Sequence, residues 1–178
     1  MSLAKTEFVL LCEDRQQQNF VYHYLLTRGV NPRRIRKLPL PAGTQAGEQY
    51  VRQEFHRQVL AHRRRDGAVT TALVTVIDAD TEPLERRLQQ LDEALRTQGA
   101  APRAEGERLP VLIPRRNIET WIHDPGQHAV DEMTDYKPKT SAECKLTAQA
   151  LHAWCQAPVP TDAPPSLVHA RLELKRLT

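Results

Sequence analysis

Three acidic points close three apolar runs. Phe8-Val9-Leu10-Leu11-Cys12 ends in Glu13-Asp14, and Ala72-Leu73-Val74-Thr75-Val76-Ile77 ends in Asp78-Ala79-Asp80. Val111-Leu112-Ile113-Pro114 is followed by Arg115-Arg116-Asn117-Ile118-Glu119. Short apolar runs bounded by turn residues read as buried strands, and the carboxyl ends of parallel strands converge on one ligand-binding crevice. Carboxylates gathered there repel one another unless a cation lies between them, and hard oxygen ligands suit Mg²⁺. The pattern points to a magnesium site and to phosphate chemistry.

Asp78 and Asp80 stand two apart, so on an extended chain both side chains point the same way and face one ion. The competing reading makes Asp80 the cap of the next helix, where acidic residues also suit the first turn. Arg115 and Arg116 lie beside the acidic end of a strand and are candidates to hold phosphate. The loop Gly43-Thr44-Gln45-Ala46-Gly47 is positioned to offer backbone N–H groups to a phosphate at a helix start, with Gly43 and Thr44 as its candidate contacts. It lacks the GK[ST] ending of a P-loop. Trp121 reads as core packing, and His123 and His128 as surface residues.

The elements that must place these residues follow from periodicity. Strands are expected at 7–12, 34–40, 69–77 and 109–113, the third being rich in Val, Thr and Ile. Helices are expected at 15–28, 47–65 and 82–98, with a helical turn at 116–123; in 82–98, Leu84, Leu88, Leu91 and Leu95 recur at helical spacing. The alternation β-α-β-α-β-α-β-α implies a parallel sheet with helices on its faces. The last third differs: a loop over 124–140, a helix over 141–156, a proline-rich linker and a final helix over 166–177. The expected organisation is an α/β domain over 1–123 with a C-terminal loop and helical extension, 124–178, packed on it.

With 178 residues the chain suits one domain, and a formal charge of +3 permits contact with nucleic acid without requiring it. Charge is clustered, however: Arg33, Arg34, Arg36 and Lys37 form one basic group, and Arg57, Arg63, Arg64 and Arg65 another. Either clusters of this kind hold a phosphate backbone or they are solvated surface. The three cysteines show neither CxxC nor Cys/His zinc spacing, and no apolar run approaches the ~20 residues of a membrane span. A reducing, cytoplasmic setting is the expectation.

Taken together, these residues resemble the Toprim family, whose shared pattern is a Glu after the first strand and a DxD after the third in a β-α-β-α-β-α-β frame. Glu13 matches the Glu and Asp78-Ala79-Asp80 the DxD. The resemblance covers roughly residues 7–123 and is nearest to the stand-alone and overcoming-lysogenization-defect-type nucleases. That branch places a further acidic residue after the following strand, which Glu119 matches, and a downstream basic residue, for which Lys137 and Lys139 are candidates. The longer DxDxD of topoisomerase-type members is absent, because Asp80 is followed by Thr81-Glu82.

The resemblance implies a Toprim-like, Rossmann-like, mostly parallel four-stranded sheet. It also implies a Mg²⁺-dependent nuclease (Mn²⁺ substituting) that hydrolyses phosphodiesters of nucleic acid, DNA foremost, in mobile-element or phage defence. Glu13 would serve as general base or ligand, with Asp78, Asp80 and Glu119 as ligands. Two ions about 3.5–4 Å apart would stabilise attacking and leaving oxygens. An ATPase partner is implied, since this chain has no Walker motif. The rival readings are a catalytically silent Toprim scaffold and a receiver-like regulatory module. The latter would need a Lys after a fifth strand.

Overall fold

A computed structural model describes residues 3–41, 46–65, 69–123, 132, 134, 136 and 141–178. The chain runs β1 (Glu7–Leu11), α1 (Arg15–Thr27), β2 (Ile35–Lys37), α2 (Gly47–Arg65), β3 (Thr71–Val76), α3 (Leu84–Thr97), β4 (Val111–Leu112), α4 (Ile118–His123), α5 (Ser141–Gln156) and α6 (Pro165–Leu174). The four strands form one all-parallel sheet in the order β2-β1-β3-β4. The expected α/β architecture, a four-stranded parallel sheet between helices with a C-terminal helix, is therefore present. Among the described residues the sheet has no fifth strand, which a receiver-like module would need.

Every residue of β3 is buried, as its unbroken apolar run requires of a strand covered on both faces. Its side chains split the core in two. Ala72, Val74 and Val76 join Phe8, Leu10, Phe20, Leu25 and Trp121 under α1, α4, α5 and α6. Leu73 and Ile77 join Leu11, Val51, Phe55, Leu91 and Leu95 under α2 and α3. Trp121 is a core residue, as expected, and its indole N–H donates to Ser166 Oγ at 2.8 Å.

The connection from β1 runs outward to β2, whereas that from β3 runs outward to β4. The strand order thus reverses between β1 and β3, and their carboxyl ends border the switch-point crevice where ligands bind in open α/β sheets. α1 covers one face there and α3 the other, so the gap between the two strand ends is left uncovered by either crossover.

Observed strands are shorter than the hydrophobic runs suggested, β2 and β4 most of all. The β4 edge is satisfied by side chains instead of another strand. Glu173 of α6 accepts from the Val111 N–H at 2.7 Å, and His169 Nε2 meets the Val111 carbonyl at 3.1 Å. The C-terminal helix thereby blunts an edge that would otherwise present unpaired backbone groups. Among the described residues no helix is long and apolar enough to cross a membrane.

Candidate functional site: an acidic crevice at the strand switch point

Glu13 lies two residues beyond β1, in the short link to α1. Asp14 caps that helix, its Oδ1 accepting from Gln17 N at 2.8 Å. The Gln17 side chain turns back and accepts from the Glu13 N–H at 2.9 Å. This reciprocal arrangement satisfies early donors of the helix and fixes the Glu13 backbone, leaving the carboxylate to point across the crevice.

On the other side, the β3–β4 ladder continues past the last strand residue: Ile77 N donates to Leu112 O at 3.1 Å and Ala79 N to Pro114 O at 2.8 Å. Alternate residues of a strand turn their N–H groups to opposite neighbours, so the Asp78 N–H faces β1. It donates to Glu13 Oε1 at 2.7 Å. The Glu13 carboxylate thus takes the place of a strand carbonyl and adds one rung between β1 and β3.

Asp78 is 8% exposed, and its Oδ1 is buried without a hydrogen-bond partner. Gln17 Nε2 is in the same condition. Buried polar atoms in folded proteins are almost always paired, so this acceptor and this donor stand out beside the crevice, as Thr75 Oγ1 and His152 Nδ1 do among the other buried atoms. Burial, then the negative charges of Glu13, Asp14, Asp80 and Glu119, raise the Asp78 carboxyl well above its ordinary range. Burial likewise pushes Glu13 up to about 7, with the Asp80 charge adding to it and the Asp78 N–H and Arg87 opposing it. Glu119, in the first turn of α4, is 7% exposed and close enough for its charge to act on Asp78.

Asp80 does not join this pair. The chain leaves the extended conformation there (φ +55°), so the two-residue alternation that would align it with Asp78 is broken. Its carboxylate turns to α3, where Arg87 Nη2 donates to Oδ2 at 3.2 Å, and its side chain stays 57% exposed. Nor does Asp80 cap α3, whose N-cap is Pro83 with no side-chain bond.

Arg87 is the residue that motif reading passed over. It is 5% exposed and binds three parts of the crevice wall at once. Nε donates to the Asp78 carbonyl at 3.0 Å, and Nη1 to Glu48 of α2 at 2.5 Å and to Gln90 at 3.0 Å. Its signal was present in the sequence: Leu84, Arg87, Leu91 and Leu95 share one helical face, which places a cation on an apolar stripe. Gly47, the first residue of α2, is a second such residue. A Cβ there would lie 2.6 Å from Glu13 Cβ and 3.0 Å from the Glu13 carbonyl oxygen, so α2 can approach Glu13 only with glycine at this position.

Arg115 and Arg116 are partly exposed, and Arg115 Nη1 donates to the Glu82 carbonyl at 2.6 Å, bracing the β3–α3 loop. Gly43, Thr44, Lys137, Lys139 and His128 lie outside the described residues, as does the His123 side chain.

Among the described residues no three Asp, Glu, His or Cys side chains group closely enough to hold one ion between them. Mg²⁺ asks for less: it keeps several waters and takes one or two carboxylates, with substrate phosphates completing its shell. Glu13 and Asp78 are the two carboxylates that such an ion could take here, Asp78 Oδ1 being buried without a hydrogen-bond partner. A divalent cation would also offset the burial and the mutual repulsion that together raise both carboxyls.

No protein-family model, curated protein or solved structure matches the chain.

Proposed function

We propose that the chain is a Mg²⁺-dependent phosphodiesterase of Toprim type acting on nucleic acid, with Glu13 and Asp78 at its centre. The observation that carries this reading is the buried, unpartnered Asp78 Oδ1 beside a Glu13 carboxylate bound to the Asp78 N–H, at the switch point of a parallel sheet. Bound Mg²⁺ would supply Lewis-acid stabilisation of a phosphoryl oxygen. The residues have their own tasks. Asp78 would hold the ion. Glu13, with its carboxyl near 7, is poised to accept a proton from an attacking water at neutral pH. Gln17 Oε1 holds the Glu13 backbone in place by accepting its N–H. Glu119 adds negative charge on the α4 side. Nucleic acid as substrate and an ATPase as partner belong to the same proposal.

Purified protein incubated with plasmid and with single-stranded DNA, in Mg²⁺ or Mn²⁺ and in EDTA, tests it. Metal-dependent cleavage that disappears in Asp78→Asn supports the reading, whereas equal cleavage by that variant contradicts it.

A silent scaffold is the second reading, and one observation favours it: Asp80, half of the DxD, is ion-paired with Arg87. Calorimetry separates the two, since a scaffold of this kind gives no heat with Mg²⁺ or Mn²⁺.

A further inference from the structure

Two basic groups that are distant in the sequence meet at the far end of the sheet. Arg33, Arg34 and Arg36, before and within β2, and Arg65, the last residue of α2, line one cleft of about 240 Å³. Glu7 is the one carboxylate lining it. Arg65 pairs with Glu7 at 3.3 Å, both half-exposed, and Arg34 Nη1 donates to the Lys5 carbonyl at 3.1 Å. Among the described residues the guanidinium groups of Arg33 and Arg36 have no ion-pair partner, and both residues are exposed.

Other arginines of α2 are differently used. Arg63 makes a two-pronged bond to Glu107 and donates to the carbonyls of Ala101 and Pro102, fastening α2 to the loop before β4. Arg57 pairs with Glu54. Only Arg65 of that group turns to the β2 edge.

Four guanidinium groups line the cleft with one carboxylate, so like charge predominates there and its members repel one another. Protection of an edge strand explains charge on β2 itself. It does not explain the approach of Arg65 from a helix. All four cations are arginines, whose planar fork suits phosphate oxygens better than a lysine ammonium does. The cleft is open to solvent and, at about 240 Å³, has room for one or two phosphates. Its one aromatic, Phe8, is buried in the core, so no face is offered for base stacking. The register places Ile35 beside Phe8, and Glu13 lies five residues further along, about 16 Å at ~3.3 Å per residue. The cleft is thus separate from the acidic crevice.

We propose that this arginine cleft binds successive backbone phosphates of a single nucleic-acid strand, as an anchoring site apart from the acidic crevice. It goes beyond the phosphodiesterase reading and stands without it.

Fluorescence anisotropy with labelled oligothymidylate and oligouridylate, in EDTA and across a salt series, tests the proposal independently of any cleavage. Removing two phosphate contacts in Arg33→Gln/Arg36→Gln flattens the slope of log K against log salt by about 1.4, at ~0.7 per contact for single strands. It also weakens binding at least tenfold at low salt. The control Arg57→Gln/Arg64→Gln removes the same formal charge outside the cleft and changes affinity less than twofold. DNA and RNA bind alike, because the shared phosphodiester is what is recognised. Equal losses in the two double variants, no loss in either, or equal competition by polyglutamate would each overturn the assignment.

Discussion

Arg87 holds the two aspartates of the Asp78-Ala79-Asp80 turn in different ways: it binds the main-chain oxygen of Asp78 and the side chain of Asp80. One guanidinium thereby leaves the Asp78 carboxylate in the crevice while drawing the Asp80 carboxylate out of it. The backbone at Asp80 is left-handed, at a residue type that tolerates it better than most.

Removing that guanidinium should be costly, and removing its exposed partner should not. In Arg87→Met, Glu48 retains Arg52 and can rehydrate along with Asp80, so the loss comes mainly from the bond to the Asp78 carbonyl. A destabilisation of roughly 2 kcal/mol is expected, below the 3–5 kcal/mol of a fully buried pair. Asp80→Asn should change stability by about 0.5 kcal/mol or less, since its side chain is mostly exposed. Urea unfolding of both variants gives the comparison, and a larger loss for Asp80→Asn would contradict the hub role of Arg87.

The raised Glu13 carboxyl makes stability depend on pH. An acid whose pKa is higher folded than unfolded binds more protons in the folded state, so its contribution is complete below about 4.5 and is lost as pH rises through about 7. Metal-free protein should therefore lose melting temperature across that window relative to Glu13→Gln, whose amide oxygen still accepts from the Asp78 N–H without carrying charge. The same logic makes Asp78→Asn more thermostable than the parent at pH 8 in EDTA, because burial and the neighbouring carboxylates disfavour the charged form of Asp78 and an amide has none. If binding occurs as proposed, Mg²⁺ narrows both differences by stabilising the parent alone.

The strand-end carboxylates were legible because buried parallel strands are unbroken apolar runs and their ends are marked by the first acidic residues. Glu13 and Asp78 lie just beyond the ends of β1 and β3, where that pattern puts them. The turn of Asp80 toward Arg87 depends on a change of backbone hand and on a cation in the next helix, neither of which alternation can register. Helix α2 began at Gly47 as expected, yet nothing in the helical pattern told why a glycine stands there; the reason is the tertiary approach of Glu13. β2 and β4 came out short because the edges of the sheet are finished by side chains and turns.

That approach makes Gly47→Ala a decisive substitution. Within a helix, alanine is favoured over glycine by about 1 kcal/mol. Here the added methyl would meet the Cβ, Cα and carbonyl oxygen of Glu13, none of which is the free end of a flexible side chain. Overpacking of this kind costs roughly 1–3 kcal/mol, so the net effect should be destabilising in spite of helix propensity. If Glu13 serves as proposed, metal-dependent cleavage should fall further than stability does. A Gly47→Ala protein that is more stable than the parent would show that α2 can retreat.

Glu173 should show the opposite pH dependence from Glu13. Burial alone would raise its carboxyl, but Arg103 and the Val111 N–H together hold it below the ordinary range. Its Oε2 accepts from Arg103 at 2.6 Å and its Oε1 from Arg176 at 3.1 Å, and both Arg103 and Glu173 are about nine-tenths buried. A lowered acid contributes stability above its unfolded pKa, near 4.5, and that contribution is lost as pH falls. Glu173→Gln keeps an acceptor for Val111 but leaves the buried Arg103 without its counter-charge, a loss of about 3 kcal/mol at neutral pH. The deficit should shrink as pH is lowered from 7 toward 3, because a lowered carboxyl contributes less once pH falls below its unfolded pKa. Urea unfolding at the two pH values, with amide exchange read at Val111, measures both the energy and the exposure of the β4 edge. A deficit that is the same at both pH values would place the stabilisation in packing of α6 and not in the ion pair.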